Sequence, residues 1–84
     1  MESVTAQEAL QTIGANVRRL RTDAHMTQVS LADAVGVSQA TISQVEKGSK
    51  DFTIGLITEI ATALGEPVDL LLRTEKIKPT RLTE

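Results

Sequence analysis

Residues 27–48, TQVSLADAVGVSQATISQVEKG, constrain the fold more than any other part of the chain. Two hydroxyl residues, Thr27 and Ser38, each stand one step before a run with apolar side chains at helical spacing, and Gly36 and Gly48 follow those runs. A Ser or Thr side chain accepts a hydrogen bond from an orphan amide in a helix's first turn, and glycine takes up the left-handed conformation that stops a helix. The segment therefore predicts two short helices joined by a tight turn. The first turns Leu31, Ala32 and Val35 inward, and the second buries Ile42 and Val45. At about 100° per residue, that burial leaves Ala40, Ser43, Gln44 and Lys47 facing out, with Gln39 and Thr41 beside them. Such a face, built of small hydroxyls and amides, is neither an ordinary charged surface nor an apolar contact.

The same signals extend in both directions. Leu10, Ile13, Val17 and Leu20 recur at steps of three and four and predict a helix over 6–23, with Gly14 as a close-packing site. Thr53 opens a further helix with Ile57, Ile60, Ala61 and Leu64 inward, stopped by Gly65. After Gly65 two readings are open. Pro67 near a first helical position, Asp69 in the first turn and the run Leu70, Leu71, Leu72 suit a short fifth helix, the reading we favour. The alternation of Val68, Leu70 and Leu72 against Asp69, Leu71 and Arg73 suits a strand. The expected fold class is all-α with four or five helices. We expect one domain over 1–72 and a polar, frayed tail over 73–84.

With 84 residues and no cysteine, neither a disulfide nor a thiolate metal site reinforces the core, so helix packing or a partner subunit must do so. No apolar run approaches the roughly 20 residues that cross a bilayer, and the start MESVTAQEAL has neither the basic region nor the apolar stretch of a secretion signal, so a cytoplasmic location is expected. The formal charge of −2 is not that of a typical nucleic-acid binder, yet Arg18, Arg19, Arg21, Lys47 and Lys50 are separated from Arg73, Lys76, Lys78 and Arg81. The chain has one Phe and no Trp or Tyr, so it lacks the aromatic platform on which unpaired bases stack. Double-stranded DNA suits it better than single strands. Glutamine engages adenine through both ends of its amide, hydroxyls donate or accept, and the methyl groups of Ala40 and Thr41 match the thymine methyl in the major groove.

Taken together, Gln28 to Val45 resembles the helix-turn-helix of the Cro/CI-type (Xre) family of transcriptional regulators, whose domain is lambda-repressor-like. Gln28 opens the first helix, Ala32 sits at the crowded helix contact, Gly36 lies in the turn, and Ile42 and Val45 anchor the second helix. The resemblance continues through EKG and ITEIATALG, covering residues 17–65. It implies a dimer on a palindromic operator, with half-sites about one helical turn apart. By the same resemblance Gln39, Ala40, Thr41, Ser43 and Gln44 read bases, while Gln28, Lys47, Lys50 and, where capping leaves it free, Ser38 contact phosphates. Arg21 and Glu46 match an ion pair between the first and third helices, and Leu70, Leu71 and Leu72 are placed at the dimer contact. Two departures stand out. His25 replaces a common glycine and is read as a strained turn residue; Phe52 stands where a proline or basic residue is frequent and Asp51 adds an acid beside the expected phosphate contacts, both of which lower the expected non-specific affinity.

Two other classes of function compare less well with the residues present. Catalysis is opposed by the inventory: one histidine, no cysteine, no phosphate-binding glycine loop, and Glu66 and Asp69 as the nearest approach to paired carboxylates. No cofactor or metal is expected. A protein-binding role rests on the looser similarity of KDFTIGLITEIATALG, followed by a strand, to HipB-type antitoxins, which hold a toxin and repress their own operon. A restriction-modification controller or a phage repressor would share the same DNA chemistry.

Overall fold

The computed structural model describes residues 4–74. Among these, five helices and no strand are present: α1 (Ala6–Asp23), α2 (Gln28–Val35), α3 (Gln39–Lys47), α4 (Ile54–Leu64) and α5 (Val68–Leu72). The starts follow local chemistry. The hydroxyls of Thr5, Thr27, Ser38 and Thr53 each accept the amide three residues on, and Thr5 and Thr27 are answered by the side chains of Glu8 and Ser30 in reciprocal capping boxes. Gly36, at φ 89°, takes the left-handed conformation that turns the chain from α2 towards α3, where a Cβ would be strained although nothing crowds it. His25 holds φ 60° in the α1–α2 turn, the strained position read for it from the sequence.

Helix α1 packs against α3, α2 lies between α3 and α4, and α5 closes the bundle against α1 and α4. The core is Ile13, Val17, Leu31, Ala32, Ile42, Val45, Ile57, Ile60, Ala61 and Leu71. Each large aliphatic side chain there contributes about 1.5–3 kcal/mol by leaving water. Leu20, Val35 and Leu64, expected inward, are half-buried against this core, and Leu10, also expected inward, is half-buried.

The strand reading of 67–73 is overturned. Pro67, at φ −69°, precedes the first turn of α5 as its N-cap residue, and the Leu70 amide bonds the Pro67 carbonyl at 3.1 Å. A helical turn sends Leu71 inward between α1 and α4, whereas strand alternation would have paired Leu70 with Leu72 on the buried side. The free carbonyls at the end of α5 are received by α1: Asn16 Nδ2 donates to Leu71 O and to Arg73 O, each at 2.9 Å. Of the expected tail, Arg73 and Thr74 are described and residues 75–84 lie outside the described residues.

Candidate nucleic-acid interface

Helices α2 and α3 meet across a turn of three residues, Gly36, Val37 and Ser38. Ala32, 2% exposed, leaves room for this approach, and Leu31 and Ile42, both fully buried, fix the angle by filling the space behind it. With Ile42 and Val45 rooted in the core, α3 leaves Gln39, Ala40 and Lys47 exposed. Thr41, Ser43 and Gln44 are half-buried along the flanks. The exposed residues therefore concentrate at the two ends of α3. Lys50 and Asp51 are exposed just beyond it, while Phe52 packs its ring against the core margin.

Behind this surface lies an ion pair. Arg21 Nε stands 2.6 Å from Glu46 Oε2, and Nη2 donates to Oε1 at 3.1 Å, a two-pronged contact between side chains only 11% and 4% exposed. The third donor, Nη1, bonds the Met26 carbonyl at 2.8 Å and so secures the α1–α2 turn. The hydrogen bond that Arg21 donates to Glu46 outweighs desolvation and holds the Arg21 guanidinium above the ordinary arginine range. The charge is permanent, and Nε, Nη1 and Nη2 each donate one bond.

The pair does not end there. Gln28 Nε2 donates to Glu46 Oε1 at 3.0 Å, and Gln39 Nε2 donates to Gln28 Oε1 at 2.6 Å. A chain of four side chains thus runs from α1 through α3 and α2 to the first turn of α3. Both ends of the Gln28 amide, expected at a phosphate, are thus engaged by Glu46 and Gln39 within the protein. Ser38 is revised likewise. Its Oγ accepts the Thr41 amide at 3.1 Å and lies 2.9 Å from Thr41 Oγ1, so the hydroxyl is occupied by capping. Nothing in the local sequence signals the link between Gln28 and Gln39, which are eleven positions apart on different helices.

A third revision concerns the leucines of α5. Leu71 is fully buried in the protomer's own core, so it is not available to a second copy, while Leu70 and Leu72 are half-buried.

Comparison with known proteins agrees with the all-helical fold. Residues 17–71 match the family model HTH_3, described as Helix-turn-helix. The chain belongs to this family, the Cro/CI-type (Xre) helix-turn-helix regulators. Its members are DNA-binding transcriptional regulators and not a class of enzymes. Among the relatives of this helix-turn-helix chain, the regulator y4dJ of Sinorhizobium fredii, named as an uncharacterized HTH-type transcriptional regulator, is 34% identical over 65 residues, which are 76% of this chain and 84% of that protein. A protein of Methanosarcina acetivorans named among the HTH-type transcriptional regulatory proteins is 32% identical over 72 residues. The match takes in 81% of this chain but only 22% of that larger protein. Of solved structures, the restriction-modification controller protein C.AhdI of Aeromonas hydrophila superposes with a TM-score of 0.72 at 31% identity, over 74% of this chain and 94% of that one. No helix among the described residues is long and apolar enough to cross a membrane.

Proposed function

We propose that the protein is a sequence-specific binder of double-stranded DNA that represses transcription, docking α3 of each protomer of a homodimer into the major groove of a palindromic operator. The observation that carries this reading is the surface of α3. Two buried aliphatic anchors, Ile42 and Val45, hold the helix rigidly from behind, while its first turn offers an amide and small side chains at Gln39, Ala40 and Thr41. Small groups let a helix sit deep in the groove, and amides discriminate base edges. Gln39, Ala40, Thr41, Ser43 and Gln44 are assigned to base edges. Lys47, Lys50 and the first amides of α2 are assigned to phosphates.

The test separates readers from holders. A preferred duplex is selected by the full chain from a randomised library, and variants are titrated against it and a scrambled duplex at several salt concentrations. Gln39→Ala or Gln44→Ala is expected to cost about 1–3 kcal/mol on the preferred duplex and to leave scrambled binding unchanged. Lys47→Ala or Lys50→Ala is expected to weaken both duplexes alike and to lower the salt slope by about one. Equal losses on both duplexes for the glutamine variants would overturn the assignment.

One finer reading has an observation in its favour. The Aeromonas controller protein corresponds to this chain over 94% of its own length, which supports a role in regulating a restriction-modification operon. A methyltransferase reading frame beside the gene is the expected sign; its absence would remove that role and leave the general one.

A further inference from the structure

We infer that Asn16 sets the spacing between operator half-sites that the protein accepts, by clamping α5, which carries the proposed two-fold contact, to the turn of α1 that supports α3. The inference rests on the reading of the protein as a DNA-binding dimer joined through Leu70 and Leu72, and it adds a positioning residue inside the protomer.

Helix α5 has little of its own to hold it in place. It is five residues long, and its N-cap residue Pro67 makes no side-chain cap bond. Arg73 ends it in an extended conformation, φ −67° and ψ 115°, where α2, α3 and α4 each end in a left-handed glycine. So short a helix is not stable alone, and its last carbonyls have no partner within it. Asn16 supplies that partner. Its amide nitrogen carries two N–H groups, and the Leu71 and Arg73 carbonyls take them at 2.9 Å each. Burial of Leu71 keeps α5 on the core, but apolar contact is non-directional and leaves the helix free to tilt about that side chain. Two hydrogen bonds from one planar amide to carbonyls two residues apart fix the tilt.

The other end of the connection is α1. Gly14 and Asn16 are two residues apart on it, hence about 3 Å apart along the helix axis and about 200° apart around it. On one side, the missing Cβ of Gly14 lets α1 lie against the backbone of Val45 and Glu46 in α3. On the other, Asn16 holds the end of α5. A single turn of α1 thus ties the helix assigned to the two-fold contact to the helix assigned to base reading. In a dimer this connection is used twice, once on each side of the two-fold axis, so it fixes how far apart the two α3 helices stand. Moving one half-site by a base pair displaces it by about 3.4 Å along the duplex and about 35° around it. A rigid pair of readers engages both half-sites only at the matching spacing, whereas a loosened pair accepts neighbouring spacings and binds the best one less tightly.

The experiment uses the full chain and the palindrome it selects, with the half-sites at their own spacing or one or two base pairs nearer or farther apart, together with a single half-site. Asn16→Ala removes both donors, and Asn16→Asp keeps the shape while presenting only acceptors to the two carbonyls. Both are compared with the parent at a temperature where all three have the same helicity by circular dichroism. The parent is expected to bind its own spacing about tenfold or more above the neighbouring ones. Both variants are expected to bring the neighbouring spacings within about threefold of it, through a loss at the best spacing, with half-site affinity and dimer sedimentation unchanged. A sharp optimum kept in both variants would overturn the inference. So would an equal loss on every duplex including the half-site, which makes Asn16 a support of the fold alone. In either case the dimer reading stands. A parent that binds the palindrome no more tightly than the half-site would instead remove that reading, and the inference with it.

Discussion

At the scale of the residue, Arg21 and Glu46 carry the largest concentration of charge in the interior. Such a pair is worth little relative to an apolar replacement, because both ions have left water, but breaking it strands one charge where water cannot reach. With side chains 11% and 4% exposed, the strongly buried case applies. Arg21→Ala or Glu46→Ala is expected to destabilise the protein by about 3 kcal/mol, and a double-mutant cycle in urea should give positive coupling between them. Additive losses would mean that each side chain acts through packing alone. The pH dependence has a definite sign. Folding raises the Arg21 pKa, so its contribution is complete below the ordinary arginine range and is lost only as pH climbs through the raised value; no part of it is lost near neutrality.

At the scale of the element, the position of α3 is set by how closely α1 approaches it. Gly14 has no side chain where a Cβ would stand 2.7 Å from the Glu46 carbonyl oxygen and closer still to that of Val45. Both are backbone atoms, so the clash cannot be relieved by a rotamer change, and α3 would have to move. Although alanine is the better helix former, Gly14→Ala is expected to lower stability by about 1–3 kcal/mol, read as a fall in the urea midpoint. A neutral or stabilising outcome would show that the α1–α3 contact gives way easily. Since Glu46 lies on the shifted turn, the same variant should also weaken binding to the preferred duplex.

For the whole molecule, α5 divides the run of leucines, with Leu71 in the core and Leu70 and Leu72 half-buried beside it. Leu71→Ala opens a cavity against α1 and α4 and is expected to destabilise the protomer by about 2–5 kcal/mol. Leu70 and Leu72 flank the buried side and are the residues we assign to the two-fold contact. Leu70→Lys is expected to shift the protein from dimer to monomer in sedimentation at micromolar concentration with little change in protomer helicity, and to weaken binding to a palindrome more than to a single half-site. A parent chain that sediments as a monomer both free and on DNA would reject the dimer. Asn16 belongs to this scale too, because its two bonds to the Leu71 and Arg73 carbonyls tie the end of α5 to the middle of α1.

The sequence by itself determined where the helices begin and end, because caps and stops act over three or four residues: Thr27, Ser38 and Thr53 before their helices, and Gly36, Gly48 and Gly65 after theirs. It also determined the class of the fold, through apolar spacing that leaves Ile42 and Val45 on one side of α3 and Ala40 and Lys47 on the other. Only the tertiary structure decided which leucine of 70–72 enters the core, since a helix and a strand bury opposite members of the run and the choice depends on α1 and α4 standing ready to receive Leu71. Only the tertiary structure joined Gln28 to Glu46 and Gln39. A long amide side chain has several rotamers of nearly equal energy in isolation, and what selects one of them is the place where another helix, distant in sequence, puts a donor or an acceptor.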